Sequence, residues 1–240
     1  MQDVRGHWLH ATFIHSPNRG DIEIARDALI HINAGGIITA VLRADDANYA
    51  STRDTAQQNN ALVSLPTDTV LLPGFVDLHI HAPQWPQLGK ALDVPLEVWL
   101  QQYTFPLEAR YQDLAFAEQV YRDMVASLLA EGTTTAVYFA TIHDAASRAL
   151  AQICLDGGQR AFVGKLVMDN PSQCPDYYRD ASTEQALEES AEFVEFVRAM
   201  PGNAHALVQP IVTPRFIPSC TDRALQGLGA LAAETHCHIQ

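Results

Sequence analysis

Basic residues are scarce in this sequence, and no segment concentrates them. Lysine and arginine together number 15 against 28 aspartate and glutamate residues, which leaves a net charge of −13 at pH 7. The acidic residues are scattered along the chain rather than gathered in a block. Because no basic stripe is present to neutralise phosphate groups, the composition argues against nucleic acids and anionic membranes as partners.

Cysteines and long apolar runs are also few. The cysteines form no C-x-x-C pair, which favours reduced thiols in a cytosolic protein over a disulfide framework. Residues 1–5 lack the basic-then-apolar run of a secretory signal, and no apolar stretch is long enough to span a membrane. We therefore expect a cytoplasmic protein. The four cysteines are Cys154, Cys174, Cys220 and Cys237.

Several signatures of common enzyme classes are missing as well. No G-x-G-x-x-G motif follows a predicted strand, which argues against a dinucleotide-binding fold. The G-x-S-x-G elbow of serine hydrolases and the Walker glycine loop are absent. The H-x-E and P-C-x-x-C pattern of the compact zinc deaminases is absent too.

The first part of the chain has the pattern of a small β segment. Residues 8–14, 28–32 and 37–42 are candidate strands, and Asn33 to Gly36 between the last two is a favourable hairpin turn. Residues 45–60 are polar with few large apolar side chains, which predicts a mobile loop. We interpret residues 1–66 as the N-terminal β segment, of sandwich type, of a composite small β domain.

From Leu71 onward, predicted strands and helices alternate, which is typical of an α/β fold with a parallel sheet. The pattern favours a partial (β/α)8 barrel over residues 67–240, truncated at the fifth strand; an open doubly wound sheet is the alternative. Because a complete barrel needs about 250 residues, we expect the front part of a longer protein. The predicted strands cover 71–81, 133–140, 161–168, 204–212 and 238–240; the helices cover 113–131, 144–157, 182–200 and 221–235.

Two histidines end the first predicted barrel strand. His79 and His81 are separated by one residue, so they point to the same side of a strand, together with Asp77. Val76, Leu78 and Ile80 alternate with these positions and are expected to face the helices. Active sites of barrels lie at the carboxyl ends of their strands, and two imidazoles there are half of a metal site. His143 follows the second strand, so a substrate-contacting or supporting role stays open.

Other positions narrow the type of metal site. His236 and His238 lie where the fifth strand begins, at the opposite end of a barrel, so we do not expect them to bind the catalytic metal. The fourth predicted strand has no lysine that could bridge two metals after carboxylation, which favours one metal ion. Zinc and iron both suit histidine ligands.

Five segments together resemble the amidohydrolase superfamily, and within it the guanine deaminase branch. The H-x-H of the first segment is shared across that superfamily, whereas HAPQ, YTFPLE and TPRF are more specific. The role of the second segment is open: it is either a lid over the substrate or a packed connector. The segments are PGFVDLHIHAPQ (73–84), WLQQYTFPLE (99–108), GTTTAVYFATIH (132–143), GKLVMDN (164–170) and VQPIVTPRF (208–216).

The resemblance implies zinc-dependent hydrolytic deamination of guanine to xanthine and ammonia, a step of purine catabolism, by a homodimer. His79 and His81 match zinc ligands, Gln84 matches a substrate-reading glutamine, and Arg215 and Phe216 match a substrate-contacting pair. The same residue types suit guanine chemically. A guanidinium pairs with neighbouring ring acceptors, an amide reads N–H beside C=O, and an aromatic ring stacks on the base.

The same resemblance places a third zinc histidine, the metal-binding aspartate and the proton-shuttling acid beyond Gln240, so this chain holds no catalytic acid. We therefore expect the 240 residues alone to be inactive and poorly soluble. Two alternatives stay open. One is an amidohydrolase that deaminates another heterocycle, such as a pterin or 8-oxoguanine. The other is a non-catalytic binding or assembly protein on the same fold.

Overall fold

The computed structural model describes residues 3–240, which divide into two compact units between Pro73 and Gly74. The sequence places this division after residue 66. The difference arises from a short strand, Val70–Leu71, which pairs in parallel with the first strand of the chain and so belongs to the first unit. The prediction of one strand from Leu71 to His81 is therefore wrong: Leu71 ends one strand and residues 75–81 form another. The chain leaves the first sheet, passes Pro73, which has no N–H to donate, and starts a new strand at Phe75.

The first unit is built on one five-stranded sheet. β2 pairs antiparallel with β1 and β3, whereas β4 and β5 pair in parallel with β1. The predicted hairpin turn is confirmed, since Asn33 Oδ1 accepts from the backbone N–H groups of Gly35 and Ile37, and Gly36 has φ 80°. Its strands are β1 His7–His15, β2 Glu23–Ile32, β3 Ile38–Leu42, β4 Leu62–Ser64 and β5 Val70–Leu71.

The predicted mobile loop is wrong over most of its length. Residues Tyr49–Gln58 form helix α1. The segment lacks large apolar side chains, yet Tyr49 and Ala56 are buried and give the helix one packed face. Its serine and threonine hydroxyls bond back to backbone carbonyls, as Thr55 does to Ser51. A small buried face is enough to stabilise this polar helix, and the composition did not reveal it.

The second unit confirms the α/β class with a parallel sheet. Its strands follow the order β11-β10-β8-β7-β6, β9 pairs with β10, and every pairing is parallel. Closure of this sheet into a barrel, and a sandwich in the first unit, stay predictions. The strands are β6 Phe75–His81, β7 Thr133–Phe139, β8 Arg160–Gly164, β9 Leu166–Val167, β10 Val208–Pro214 and β11 His238–Ile239. The helices are α2 Leu96–Trp99, α3 Phe105–Ala109, α4 Leu114–Ala130, α5 Asp144–Gly157, α6 Thr183–Ala199 and α7 Asp222–Thr235.

The helices α4 and α6 begin at polar side chains that cap them. Asp113 Oδ1 accepts from the backbone N–H of Ala115 at the start of α4, and Ser182 Oγ accepts from that of Gln185 at the start of α6. Their apolar faces pack on the sheet around buried side chains such as Tyr138. Within residues 3–240, no helix combines the length and the apolar character that crossing a bilayer requires.

One expectation about β6 is wrong. Val76 and Leu78 were expected to face the helices with Ile80, but their side chains are 59% and 70% exposed. Ile80 packs against the core of the unit. The reason is position: among the strands that the structure describes, β6 pairs only with β7 and forms an edge of the sheet.

Gly164 at the end of β8 tests the packing of neighbouring strands. A Cβ at this position would lie 2.2 Å from the carbonyl oxygen of Ile211 and 2.2 Å from Thr213 Oγ1. We expect Gly164→Ala in the full-length protein to lower the free energy of unfolding by about 1–3 kcal/mol, because strand backbone must move. Gly229→Ala is the matched control: its Cβ meets nothing within 4 Å in α7, and a gain of about 0.5–1 kcal/mol is expected. Urea midpoints measure both, and equal effects would contradict the packing argument.

Candidate functional site at the carboxyl ends of the parallel strands

His79 and His81 converge at the end of β6. Their Nε2 atoms lie 3.0 Å apart and their ring centroids 4.8 Å apart. Both rings contact Phe139 at the end of the neighbouring β7, with centroid distances of 4.9 Å and 4.6 Å. Asp77 Oδ1 accepts from the backbone N–H of His79 at 3.0 Å, next to an irregularity in the β6–β7 register. The predicted shared side of the two imidazoles is thus present in the structure.

The donor set of this pair suits a metal such as zinc. Zinc accepts neutral imidazole nitrogens, and two Nε2 atoms lie next to each other here. Burial lowers the pKa of His81 to about 4, with smaller contributions from nearby charges, so this imidazole is neutral at physiological pH. Among residues 3–240, no group of three or more His, Cys, Asp or Glu side chains lies close enough to hold a metal. The pair is therefore a partial donor set.

Gln84 lies directly beside the histidine pair. It sits in a 3₁₀ turn, Ala82–Gln87, that follows β6 without a break. Its Nε2 atom is 3.1 Å from His81 Nδ1 and donates to Glu108 Oε1 at 2.8 Å. The amide therefore connects the histidine pair to a carboxylate that is 24 residues away in the sequence.

Arg215 reaches the same carboxylate from the opposite part of the sheet. It follows β10, is buried, and pairs through Nη1 with Glu108 Oε2 and through Nη2 with Glu108 Oε1, the latter at 3.3 Å. Its guanidinium carbon lies 4.9 Å from the ring centroid of Phe105. β6 and β10 run in the same direction in one parallel sheet, so residues that follow both strands meet at one end of it.

Other predicted positions stand apart from these contacts. Phe216 is 46% exposed and makes no hydrogen bond or ring contact to the histidine pair, Gln84 or Arg215 among the described residues. His143 packs near Tyr178, with ring centroids 5.8 Å apart, and burial lowers its pKa. His238 lies in β11 opposite Ile211 and near Phe162.

Sequence reasoning missed Glu108, the residue that connects the two sides of the site. Its side chain is fully buried, and the nearby residues Thr104 and Phe105 are buried as well. The segment Trp99–Glu108 is helical and is anchored at Thr104, whose Oγ1 accepts from Gln87 Nε2 at 2.9 Å. Gln101, Gln102 and Tyr103 in the same segment are exposed, so the choice between a lid and a connector stays open. An acidic residue inside an aromatic-rich run was the available signal, but it did not indicate a partner.

Comparison with known proteins identifies the family of the chain. Residues 70–240 match the amidohydrolase family. The chain is 42% identical to guanine deaminase of Dictyostelium discoideum over 95% of this chain and 51% of that protein. It is 39% identical to guanine deaminase of Homo sapiens over 98% of this chain and 50% of that protein.

A solved structure shows the same relationship. The guanine deaminase of C. acetobutylicum, with guanine bound in its active site, superposes with a TM-score of 0.85 at 29% identity, covering 98% of this chain and 52% of that chain. The chain thus spans about half the length of the curated relatives it matches. These matches confirm the resemblance to guanine deaminases, and the chain belongs to the amidohydrolase family.

Proposed function

We propose that the full-length protein containing this chain hydrolyses guanine to xanthine and ammonia with the help of one zinc ion. The observation that carries the proposal is the unbroken series of contacts from His79 and His81 through Gln84 and Glu108 to Arg215. A pair of metal-binding imidazoles lies at one end of this series and a buried guanidinium at the other. The guanine deaminases among the relatives support the choice of substrate.

His79 and His81 are the residues that would hold the zinc ion in this chain. When bound there, zinc would lower the pKa of a water molecule and so make hydroxide available for attack on C2 of the base at neutral pH. The Phe139 ring packs against both imidazoles and restricts their orientation. Backbone bonding of His79 to Asp77 holds the first ring at the strand end.

The base would bind between the imidazole pair and Arg215. Guanine carries acceptors at O6 and N7, which suit the donors of Arg215 that do not face Glu108. Gln84 contributes an amide to the same side of the ligand, and the half-exposed ring of Phe216 offers a flat surface for stacking. The acid that moves protons during the reaction is proposed to follow Gln240, whose side chain already reaches His79 Nδ1 at 3.3 Å.

The wider architecture follows from the same proposal. The second unit would be the first half of a metal-dependent hydrolase barrel, to which strands beyond β11 add. The first unit would be one part of a composite small β domain: its sheet bears an apolar groove of about 540 Å³ lined by residues such as Phe13, Ile30 and Ile38. We further propose a cytoplasmic homodimer, as its family resemblance implies.

The test measures turnover of guanine, adenine, cytosine and a pterin by the full-length protein loaded with zinc. Ammonia release is measured for every base, and xanthine formation is measured for guanine. We expect guanine to release ammonia with a larger kcat/KM than the other three bases. The isolated 240-residue chain is expected to release none, because it offers two imidazoles where catalytic zinc generally has three protein ligands. Preference for another base would overturn the substrate, and turnover by the isolated chain would show that the site is complete without further residues.

A further inference from the structure

Glu108 has an unusual place in the site, because one buried carboxylate serves two proposed substrate-binding side chains. Its Oε1 atom accepts from Gln84 Nε2 at 2.8 Å and from Arg215 Nη2 at 3.3 Å, and its Oε2 atom accepts from Arg215 Nη1. Building on the proposed function, we propose that Glu108 is a positioning residue that decides which hydrogen-bonding edge of the base the enzyme accepts.

Glu108 fixes the orientation of the Gln84 amide. An ionised carboxylate can only accept hydrogen bonds, so the amide atom 2.8 Å from Glu108 Oε1 must be the NH₂ group. The opposite orientation would place two acceptor oxygens in contact inside a buried site. Among residues 3–240, Gln84 Oε1 makes no hydrogen bond. Glu108 therefore leaves Gln84 with a free acceptor, and a ligand must offer an N–H group to it.

Glu108 also fixes the guanidinium of Arg215. Two of its nitrogens face Glu108, and Phe105 packs against the guanidinium plane, so the group is held in place. Each of these nitrogens retains a second N–H, and a guanidinium has no acceptor. Glu108 thus holds the acceptor Oε1 of Gln84 beside the remaining N–H donors of Arg215. The complementary ligand edge carries N–H beside C=O.

Guanine has that edge at N1–H and C6=O6. The order along the site also matches the order of atoms around the ring. Gln84 lies 3.1 Å from His81, next to the proposed metal position where C2 would react, and Arg215 lies beyond Glu108. C2, N1 and C6 follow one another in the purine in the same sequence. The geometry therefore assigns N1–H to Gln84 Oε1 and O6 to Arg215.

The assignment makes 2-aminopurine the informative competitor. This base keeps the reactive amino group at C2, but its N1 is an unprotonated acceptor and it lacks O6. Placing N1 opposite Gln84 Oε1 leaves a buried acceptor unpaired, which costs roughly 10- to 100-fold in binding. The lost contact from O6 to Arg215 adds to that cost. We expect the full-length zinc enzyme to prefer guanine over 2-aminopurine by at least about 100-fold in kcat/KM.

Glu108→Gln is the decisive variant, because the amide it introduces can donate or accept and no longer fixes the orientation of the Gln84 amide. We expect the preference for guanine to shrink by about tenfold or more, with KM for guanine rising more than kcat falls. Glu97→Gln is the matched control, because Glu97 is exposed in α2 and bonds to no side chain among residues 3–240. This variant should prefer guanine over 2-aminopurine as strongly as the parent does. Parallel loss on both bases in Glu108→Gln, with the preference unchanged, would mean that Glu108 only supports the fold.

Glu108→Asp keeps the charge and decides the question if Glu108→Gln does not fold. Its carboxylate is one methylene shorter and cannot meet both partners, so a positioning role predicts a preference reduced by at least about fivefold. A role as counter-charge to Arg215 alone predicts no change in preference, and that result would overturn the proposal. Absence of guanine turnover in the parent would refute the proposed function instead. The same preferences would then be read from 2-aminopurine fluorescence and its displacement by guanine.

Discussion

Replacing His81 with alanine in the full-length protein is expected to lower kcat/KM for guanine by about 10⁴-fold and to abolish stoichiometric zinc binding. The reason is geometric. Among residues 3–240, His81 Nε2 and His79 Nε2 are the imidazole nitrogens that meet at the strand end, 3.0 Å apart, and losing one leaves the proposed site short of the three protein ligands that catalytic zinc generally has. Zinc content by metal analysis and ammonia release on the same preparations measure the two effects.

His205→Ala is the control for this experiment. His205 is an exposed histidine whose side chain makes no hydrogen bond among the residues that the structure describes, so both zinc content and turnover should match the parent. A His81→Ala protein that keeps its zinc and turns over guanine within about tenfold of the parent would show that the metal lies elsewhere. Loss of zinc in the control as well would point to a folding defect rather than to a lost ligand.

Replacing Lys165 with methionine should produce the largest loss of stability in the second unit. The Lys165 side chain is fully buried. Its Nζ atom lies 2.6 Å from Asp180 Oδ1 and 3.1 Å from Glu189 Oε2. Removing the cation leaves the buried carboxylate of Asp180 without its partner, and breaking such a pair costs about 3–5 kcal/mol. Lys90→Met, which changes the chain's other lysine at an exposed position, is expected to cost less than about 0.5 kcal/mol.

The pH dependence of this variant follows from Asp180. Burial raises the pKa of Asp180 above its ordinary value, while Lys165 lowers it, so Lys165→Met should raise the pKa further. A carboxyl whose pKa is higher in the folded state binds its proton more tightly there. Its unfavourable contribution is therefore absent below the unfolded pKa and grows as pH rises towards the folded pKa.

We accordingly expect the stability difference between Lys165→Met and the parent to be at least about 1 kcal/mol smaller at about pH 5 than at about pH 7. Urea unfolding at the two pH values measures this, and Lys165→Met combined with Asp180→Asn should recover part of the loss at neutral pH. A difference that is independent of pH would show that Asp180 is not the group left unpaired. A variant as stable as Lys90→Met would contradict the burial argument itself.

Local patterns in the sequence determined the elements and the first half of the site. The one-residue spacing of His79 and His81 in an apolar run was sufficient to place both imidazoles on one side of a strand, since side-chain direction alternates along any strand. Alternating strands and helices indicated the parallel sheet, and the predicted helix ranges 113–131 and 182–200 match α4 and α6 closely. These properties depend on neighbours a few residues apart, which a sequence displays directly.

Only the tertiary structure decided which polar residues meet. Glu108 contacts Gln84 across 24 residues and Arg215 across 107, and no period of strand or helix relates these positions. The burial of Lys165 against Asp180, the edge position of β6 and the small packed face of α1 depend in the same way on which elements pack together. Such contacts are set by the packing of the whole unit, because long-range partners are selected by shape and burial rather than by local spacing.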